Sequence, residues 1–352
     1  MKNWWKILGV TLVMYVFIAG MLAPLKSGII EVTPRSARTG EQVTLQVQGY
    51  NSFYTKADGD IRAWLKLDDK RAIGAQSIKV NNDRELEATF LLPPYLPVKE
   101  RVQDMTLILD NPVDGASVLP SALFVTQDSI QPKKGEQSWK NTPIENLHSK
   151  AGINFPFRNI LAETIRNTYF HVSLWLAMML IFIGAMVNSI RYLRTFNPDY
   201  DYRALSLTRV GVFFGILGVV TGAIWAKNTW GEYWSWDVKQ NMTAIALLIY
   251  FAYFVLRNAF DDYEKRARLA SVYNIFAFAA LIPLIYVIPR MTDSLHPGNG
   301  GNPAFGSDDL DNTMRMIFYP AVIGWTLIGL WIAQLSYRAE RLEARLSDLE
   351  ME

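Results

Sequence analysis

No cysteine occurs in the 352 residues. Disulfides, thiol chemistry and thioether linkage through the chain's own side chains are therefore excluded. Histidine is almost as scarce, with three copies: His148, His171 and His296. A structural zinc site wants four ligands, usually including cysteine, and no local cluster supplies them. Charge of one sign is lacking too. The formal net is only +2, so nothing points to nucleic acid as a partner.

What is abundant is apolar surface. Half of the residues are hydrophobic, and they fall in runs that approach the roughly 20 residues needed to cross about 30 Å of hydrocarbon. Six spans are expected, at about residues 5–25, 171–190, 208–225, 242–256, 272–288 and 317–333. Each must be helical, because an open strand in lipid leaves backbone groups unpaired. The first run follows Lys2 and Lys6 and imitates a signal peptide. Leu22-Ala23-Pro24-Leu25-Lys26 is a poor cleavage site, so the run reads as a retained anchor.

With six spans the positive residues segregate. Lys2, Lys6, Arg191, Arg194, Arg203, Arg209, Arg257, Lys265, Arg266, Arg268, Arg338, Arg341 and Arg345 share one side. Lys227, Lys239, Arg290 and Arg315 are left for the short loops opposite. The positive-inside rule then puts both termini in the cytoplasm.

The segment after the first span changes rhythm. Val43, Leu45 and Val47 alternate with polar residues, and short apolar runs recur at 61–67, 86–92, 105–109 and 122–125, punctuated by glycine, proline, asparagine and aspartate. That is the pattern of a small antiparallel sandwich. The expected fold class is an all-α polytopic membrane protein of six transmembrane helices, plus an inserted extracytoplasmic β-sandwich-like domain. The expected organisation is a first helix (1–28), an outer β domain (29–130), a linker and interfacial helix (131–170), a five-helix domain (171–337) and a cytoplasmic tail (338–352). Ile153, Phe155, Phe157, Ile160 and Leu161 suit a segment lying at the membrane surface. Leu342, Leu346 and Leu349 give the Arg/Glu-rich tail an amphipathic helical spacing.

Between the third and fourth spans lies an aromatic patch: Trp225, Trp230, Gly231, Tyr233, Trp234, Trp236 and Asp237. Interfacial anchoring explains one or two tryptophans, not four within thirteen residues. Trp230 and Trp234 can share a helical face. Gly231 would allow a flat ring to approach closely, or simply a turn. Asp237 fits an N-cap of the fourth span, a role at least as natural as ligand contact. On the same side, His171 opens the second span and His296 sits in the loop before the sixth. Two neutral imidazoles facing one another can bind haem iron axially, while aromatic groups cover the porphyrin. A boundary histidine is otherwise an interface residue or a satisfied hydrogen-bond partner. His148, in a polar stretch, reads as solvated. Lys227, Lys239, Arg290 and Arg315 are the candidate partners for propionates.

Trp230-Gly231-x-x-Trp234-x-Trp236-Asp237, with His171 in Tyr169-Phe170-His171 and His296 in His296-Pro297-Gly298, resembles the WWD motif of the haem-handling family of cytochrome c maturation. By size, span number and spacing the likeness is to the CcmC component, described as haem exporter or haem lyase, and covers about residues 159–333. The resemblance implies haem b on the outer face, His171 and His296 as axial ligands through the haem iron, and the tryptophan patch as platform. It implies transfer to the chaperone CcmE, with CcmD and the ABC complex CcmAB as further partners beside membrane lipid. Apocytochrome c would be met only indirectly, and no catalytic triad or nucleophile is implied. The chain reads as a haem transfer protein rather than a conventional enzyme.

Two departures stand out. The outer β domain is foreign to the minimal component. Val238 and Gln240 stand where the related synthase CcsA commonly has a proline and an acid. A cytochrome c synthase and a non-haem membrane scaffold are the alternatives. The synthase generally carries a further histidine pair within the membrane, and none of the three histidines lies in mid-span.

Overall fold

A computed structural model describes residues 3–150, 152–159, 161–296 and 310–351. Ala151, Ile160, Pro297, Gly298 and Gly300, which carry part of the surface-segment and loop readings, lie outside them. The chain forms two compact units, residues 23–163 and residues 1–22 with 164–352. The first is built on sheets, which corrects the all-α class: the helices account for one unit and two β-sheets for the other. The class label followed the apolar spans, whereas the alternating segment folds around a core of its own.

That β unit begins with β1 (Gly28–Thr33), β2 (Ser36–Arg38) and β3 (Gln42–Tyr50). It continues through β4 (Arg62–Lys66), β5 (Ala72–Gly74), β6 (Ser77–Asn82), β7 (Glu85–Leu91), β8 (Val102–Asn111) and β9 (Gly115–Thr126). One sheet has the order β1-β3-β7-β6 and the other β2-β9-β8-β4-β5. All pairs are antiparallel except β2 with β9. Period-two alternation aims Val43, Leu45 and Val47 of β3 inward beside Leu86, Ala88 and Phe90 of β7. They share one core with Leu65, Met105, Leu107, Leu109, Leu123 and Val125 of the other sheet.

Residues 131–150 are bound along this unit. A short helix, α2 (Pro132–Ser138), leads to Trp139, which packs against the core. The Thr142 amide donates to the Ala72 carbonyl at 2.9 Å. His148 donates its backbone N–H to Asp110 Oδ1 at 2.7 Å, and its Nδ1 lies 2.9 Å from Oδ2. Arg62 bonds the same carboxylate and the carbonyls of Glu145 and Asn146. His148 is thus partly solvated and also a clamp. The two ends of the unit run side by side, with the Phe155 amide donating to Pro24 O at 2.9 Å and the Lys26 amide to Phe155 O at 2.7 Å.

In the other unit, among the described residues, six helices are long and apolar enough to cross a membrane. They contain α1 (Trp4–Leu22), α3 (His171–Thr195), α4 (Pro198–Trp230), α5 (Val238–Asn258), α6 (Tyr263–Ile282) and α7 (Asn312–Met351). A 3-10 turn (Ala162–Tyr169) precedes α3. The path of α6 continues through a π turn and a 3-10 turn to Arg290. At 33 residues α4 is about 50 Å long. It starts ten residues before the expected apolar run, because Asn197 caps it and Pro198 occupies its first turn. The expected tail helix is the last part of α7, which is continuous over 40 residues.

Glycines set the closest helix approaches. Along α4, Gly211, Gly215, Gly218 and Gly222 face Phe182, Met178, Trp175 and His171 of α3, so the two helices run antiparallel in direct contact. Added Cβ atoms would come within 2.4 to 3.2 Å of those side chains. Small residues permit such approach where the hydrophobic effect cannot drive it. At the end of the bundle where α4 begins, Arg257 of α5 donates to both carboxylate oxygens of Asp201 at 2.7 and 2.6 Å, with both side chains buried.

Two outcomes follow. Asp201→Leu strands a buried guanidinium and should cost about 3–5 kcal/mol, whereas adding Arg257→Leu should recover most of that; thermal unfolding of wild type, the two single variants and the double variant in detergent measures it. In the β unit, burial opposes the Asp110 charge, but Arg62 and His148 outweigh it and hold the carboxyl below its ordinary value. A depressed folded-state pKa gives stability that is full above about pH 4 and lost as pH falls further. Hydrogen exchange at the His148 amide, corrected for intrinsic rate, should show protection at pH 6 and its loss below pH 4. Constant protection down to pH 3 contradicts the clamp.

Candidate functional site

The site forms where α3 begins, α4 ends and α5 begins. His171 is the first residue of α3 and lies against Gly222, where a Cβ would come 2.6 Å from the ring Cε1. Its Nδ1 is 2.9 Å from the Gly218 carbonyl and 3.2 Å from Thr221 Oγ1. A carbonyl only accepts, so Nδ1 carries the proton, and in the neutral ring the lone pair belongs to Nε2. Thr221 donates its own hydroxyl to Leu217 O at 2.8 Å, which leaves its oxygen free to accept.

One turn further along α4 stands Trp225, and His296 packs against it at 6.0 Å between ring centroids. Trp230 closes edge-on against both, 4.8 Å from His296 and 4.8 Å from Trp225. α4 is thus a common ruler for the two histidines, which lie within electrostatic reach of each other.

Asp237 anchors His296. Its Oδ1 accepts from the Lys239 amide at 2.9 Å, as the N-cap of α5. The same carboxylate accepts from Ser294 Oγ at 3.0 Å, from the Leu295 amide at 2.7 Å and from His296 Nδ1 at 2.8 Å. Burial raises the cost of its charge, but these donors outweigh it and hold the carboxyl well below the usual carboxylate range. Cap and loop latch are one group. Nδ1 of His296 faces a carboxylate and Nδ1 of His171 a carbonyl, so both rings have Nδ1 engaged. Among the described residues neither Nε2 has a hydrogen-bond partner.

The aromatic patch is not one helical face. α4 ends at Trp230, and Gly231 takes φ +87°, a left-handed cap that disfavours any side chain. Trp230 and Trp234 therefore do not share a helix. Trp234 instead sets its ring edge-on to Trp236 at 6.5 Å. Tyr233 and Trp236 are exposed, Trp236 at 77 %. Trp236 also holds φ +58°, an unusual strain for a bulky residue, with its carbonyl accepting from Asn241 Nδ2 at 2.8 Å. Gln240 sets the loop: Oε1 accepts from the Ser235 amide at 2.9 Å and Nε2 donates to Tyr233 O at 3.5 Å.

The four expected cations divide. Lys239 and Arg290 lie within electrostatic reach of one another, and Lys239 of Asp237. Lys227 turns back to the loop, donating to Gly231 O at 2.8 Å and sitting over the Tyr233 ring. Arg315, on α7, has a buried Nε with no hydrogen-bond partner among the described residues. Gly218, Thr221 and Ser294 entered through the structure, as did the loop-holding role of Gln240. The glycine spacing on α4 was the available signal for the first; the others depend on contacts between distant segments.

A family model described as heme exporter protein C matches residues 155–352, more than half of the chain. The chain belongs to the CcmC family. The match starts after the β sheets. The protein is 28 % identical over 194 residues to the heme exporter protein C of Bradyrhizobium diazoefficiens, covering 53 % of this chain and 71 % of that one. It is 26 % identical over 139 residues to the protein of the same name from Haemophilus influenzae, covering 40 % and 56 %. A putative cytochrome c biosynthesis ccmC-like mitochondrial protein of Marchantia polymorpha is 29 % identical over 134 residues, covering 38 % and 56 %. The chain thus spans little more than half the length of the last two.

Gln240→Leu leaves the Ser235 amide without its acceptor. The expected cost is about 1–3 kcal/mol, read as a lower unfolding temperature in detergent.

Proposed function

We propose that this protein handles haem in cytochrome c maturation, holding haem b between His171 and His296 against the tryptophan patch and passing it to a chaperone. The observation that carries this reading is the paired histidines, each with Nδ1 engaged and, among the described residues, no hydrogen-bond partner on Nε2. The residues fit the group: two imidazole donors ranked along one helix, with Trp225 and Trp230 as an apolar aromatic wall. The family and the names of the relatives support haem delivery as the role. Bound haem would supply an iron with two axial positions and a flat apolar ring.

The chain's own residues do the holding. Gly218 and Thr221 fix the tautomer of His171, and Gly222 leaves room for its ring. Asp237 orients His296 and ties its loop to α5. Tyr233 and Trp236, exposed beside this latch, offer a surface over which flat cargo can leave. Lys239 and Arg290 are the favoured partners for propionates, since Lys239 lies within electrostatic reach of both Asp237 and Arg290.

The basic residues of the α3–α4 and α5–α6 connections lie at the opposite end of the bundle from the site. By the positive-inside rule this supports a site on the extracytoplasmic side of the bacterial inner membrane, with both termini in the cytoplasm. A chaperone of the CcmE type as acceptor, and CcmD with CcmAB as release partners, complete the reading. The β sandwich is a further extracytoplasmic unit on this topology.

The test is the visible spectrum of the purified protein. Wild type should show a six-coordinate b-type spectrum, and His171→Ala and His296→Ala should each lose or shift it. Gly222→Ala removes no donor atom but puts a methyl where the His171 ring lies, and should also lose most of the bound haem. No haem in the wild type from haem-replete cells, or a spectrum indifferent to both histidine changes, rejects the reading.

A further inference from the structure

The two histidines have unlike partners. His171 gives its Nδ1 proton to neutral acceptors, the Gly218 carbonyl and the Thr221 hydroxyl. His296 gives its proton to the carboxylate of Asp237, whose side chain is 2 % exposed. A ring whose N–H is bonded to a carboxylate carries more electron density on the opposite nitrogen than one bonded to a carbonyl. Little solvent reaches the pair, so the carboxylate's effect is weakly screened. The other donors to Asp237 fix its oxygens in place without removing its charge: two backbone amides and the Ser294 hydroxyl.

We propose that Asp237 is a positioning residue that makes His296 the stronger donor of the two, so that the site offers a bound metalloporphyrin an unequal axial pair. This rests on the haem reading above. A stronger axial donor favours the more highly charged, oxidised iron, so the proposal makes Asp237 a determinant of redox state as well as of retention. It also distinguishes Asp237 from a plain helix cap. A cap that only stabilised the fold would change how much haem is held, and would leave the potential of the held haem alone.

The full chain is purified in detergent with haem and titrated potentiometrically, with haem content measured in parallel. Asp237→Asn removes the charge while keeping an acceptor for the Lys239 amide. Its bound haem is expected at a more positive midpoint potential than wild type. Asp237→Glu restores the charge and should bring the potential back toward wild type. If Asp237→Asn holds no haem, the comparison passes to His171→Ala and His296→Ala, each supplied with 1-methylimidazole, which has no N–H to donate, until six-coordinate. This imidazole standing in for His296 lacks the carboxylate's hold and should give the more positive potential of the two. A wild-type potential in haem-loaded Asp237→Asn, or equal potentials in the two imidazole-supplied variants, overturns the proposal. A wild type that binds no haem overturns the haem reading beneath it, and is told apart by the haem content alone.

Discussion

The close approach of α3 to α4 is the contact on which the site depends. Four glycines on one face of α4 meet four large side chains of α3, and the last of these is His171. Only because the backbones come so near can the His171 ring reach the Gly218 carbonyl. In lipid there is no hydrophobic gain from pairing two helices, so the fit of ring into glycine recess does that work. Helix packing and ligand orientation are therefore one interaction. The same recess decides which ring nitrogen keeps its proton, and so which one remains able to bind a metal.

A second constraint comes from the end of α4. Gly231 stops the helix, and the chain must cross a short loop of large aromatic residues before α5 starts. Two devices hold this loop. Gln240 reaches back from the first turn of α5 to Ser235 and Tyr233, and Asp237 reaches across to residues 294–296. The left-handed Trp236 lies between them. Its strain persists because hydrogen bonds on both sides determine the loop. An exposed tryptophan held this way is pre-organised, which lowers the ordering cost of meeting a flat partner.

Much of this was legible from the sequence, for identifiable reasons. Apolar runs of membrane length admit one solution, and the six expected spans correspond to six long helices. Alternation revealed the strands that face the sandwich core, such as Val43, Leu45 and Val47. The short edge strands β2 and β5 and the polar β6 escaped, because little of their surface is buried and their pattern carries no period. The stretch around Gln131 to Lys150 read as linker for a related reason. Polar composition does not tell a solvated residue from one whose partner lies on a distant strand, and His148 meets Asp110 from 38 residues away. The aromatic patch was conspicuous, yet its pairing was not. Helical spacing predicts Trp230 with Trp234, whereas the glycine between them ends the helix and pairs Trp230 with Trp225.

Two buried carboxylates near opposite ends of the bundle show how one chemistry serves two purposes. Asp201 holds Arg257 through two charge-assisted bonds. Guanidinium cannot give up its proton in a protein, so that pair is permanently charged and can only be broken at a large cost. It fastens α4 to α5 and leaves no lone pair for anything else. Asp237 holds an imidazole instead, and imidazole has a second nitrogen. The bond that fixes one face of the ring leaves the other face able to act. Replacing His296 by arginine would preserve a charged pair with Asp237 and abolish the donor. The choice of histidine at that position therefore separates a site that binds from a joint that only holds.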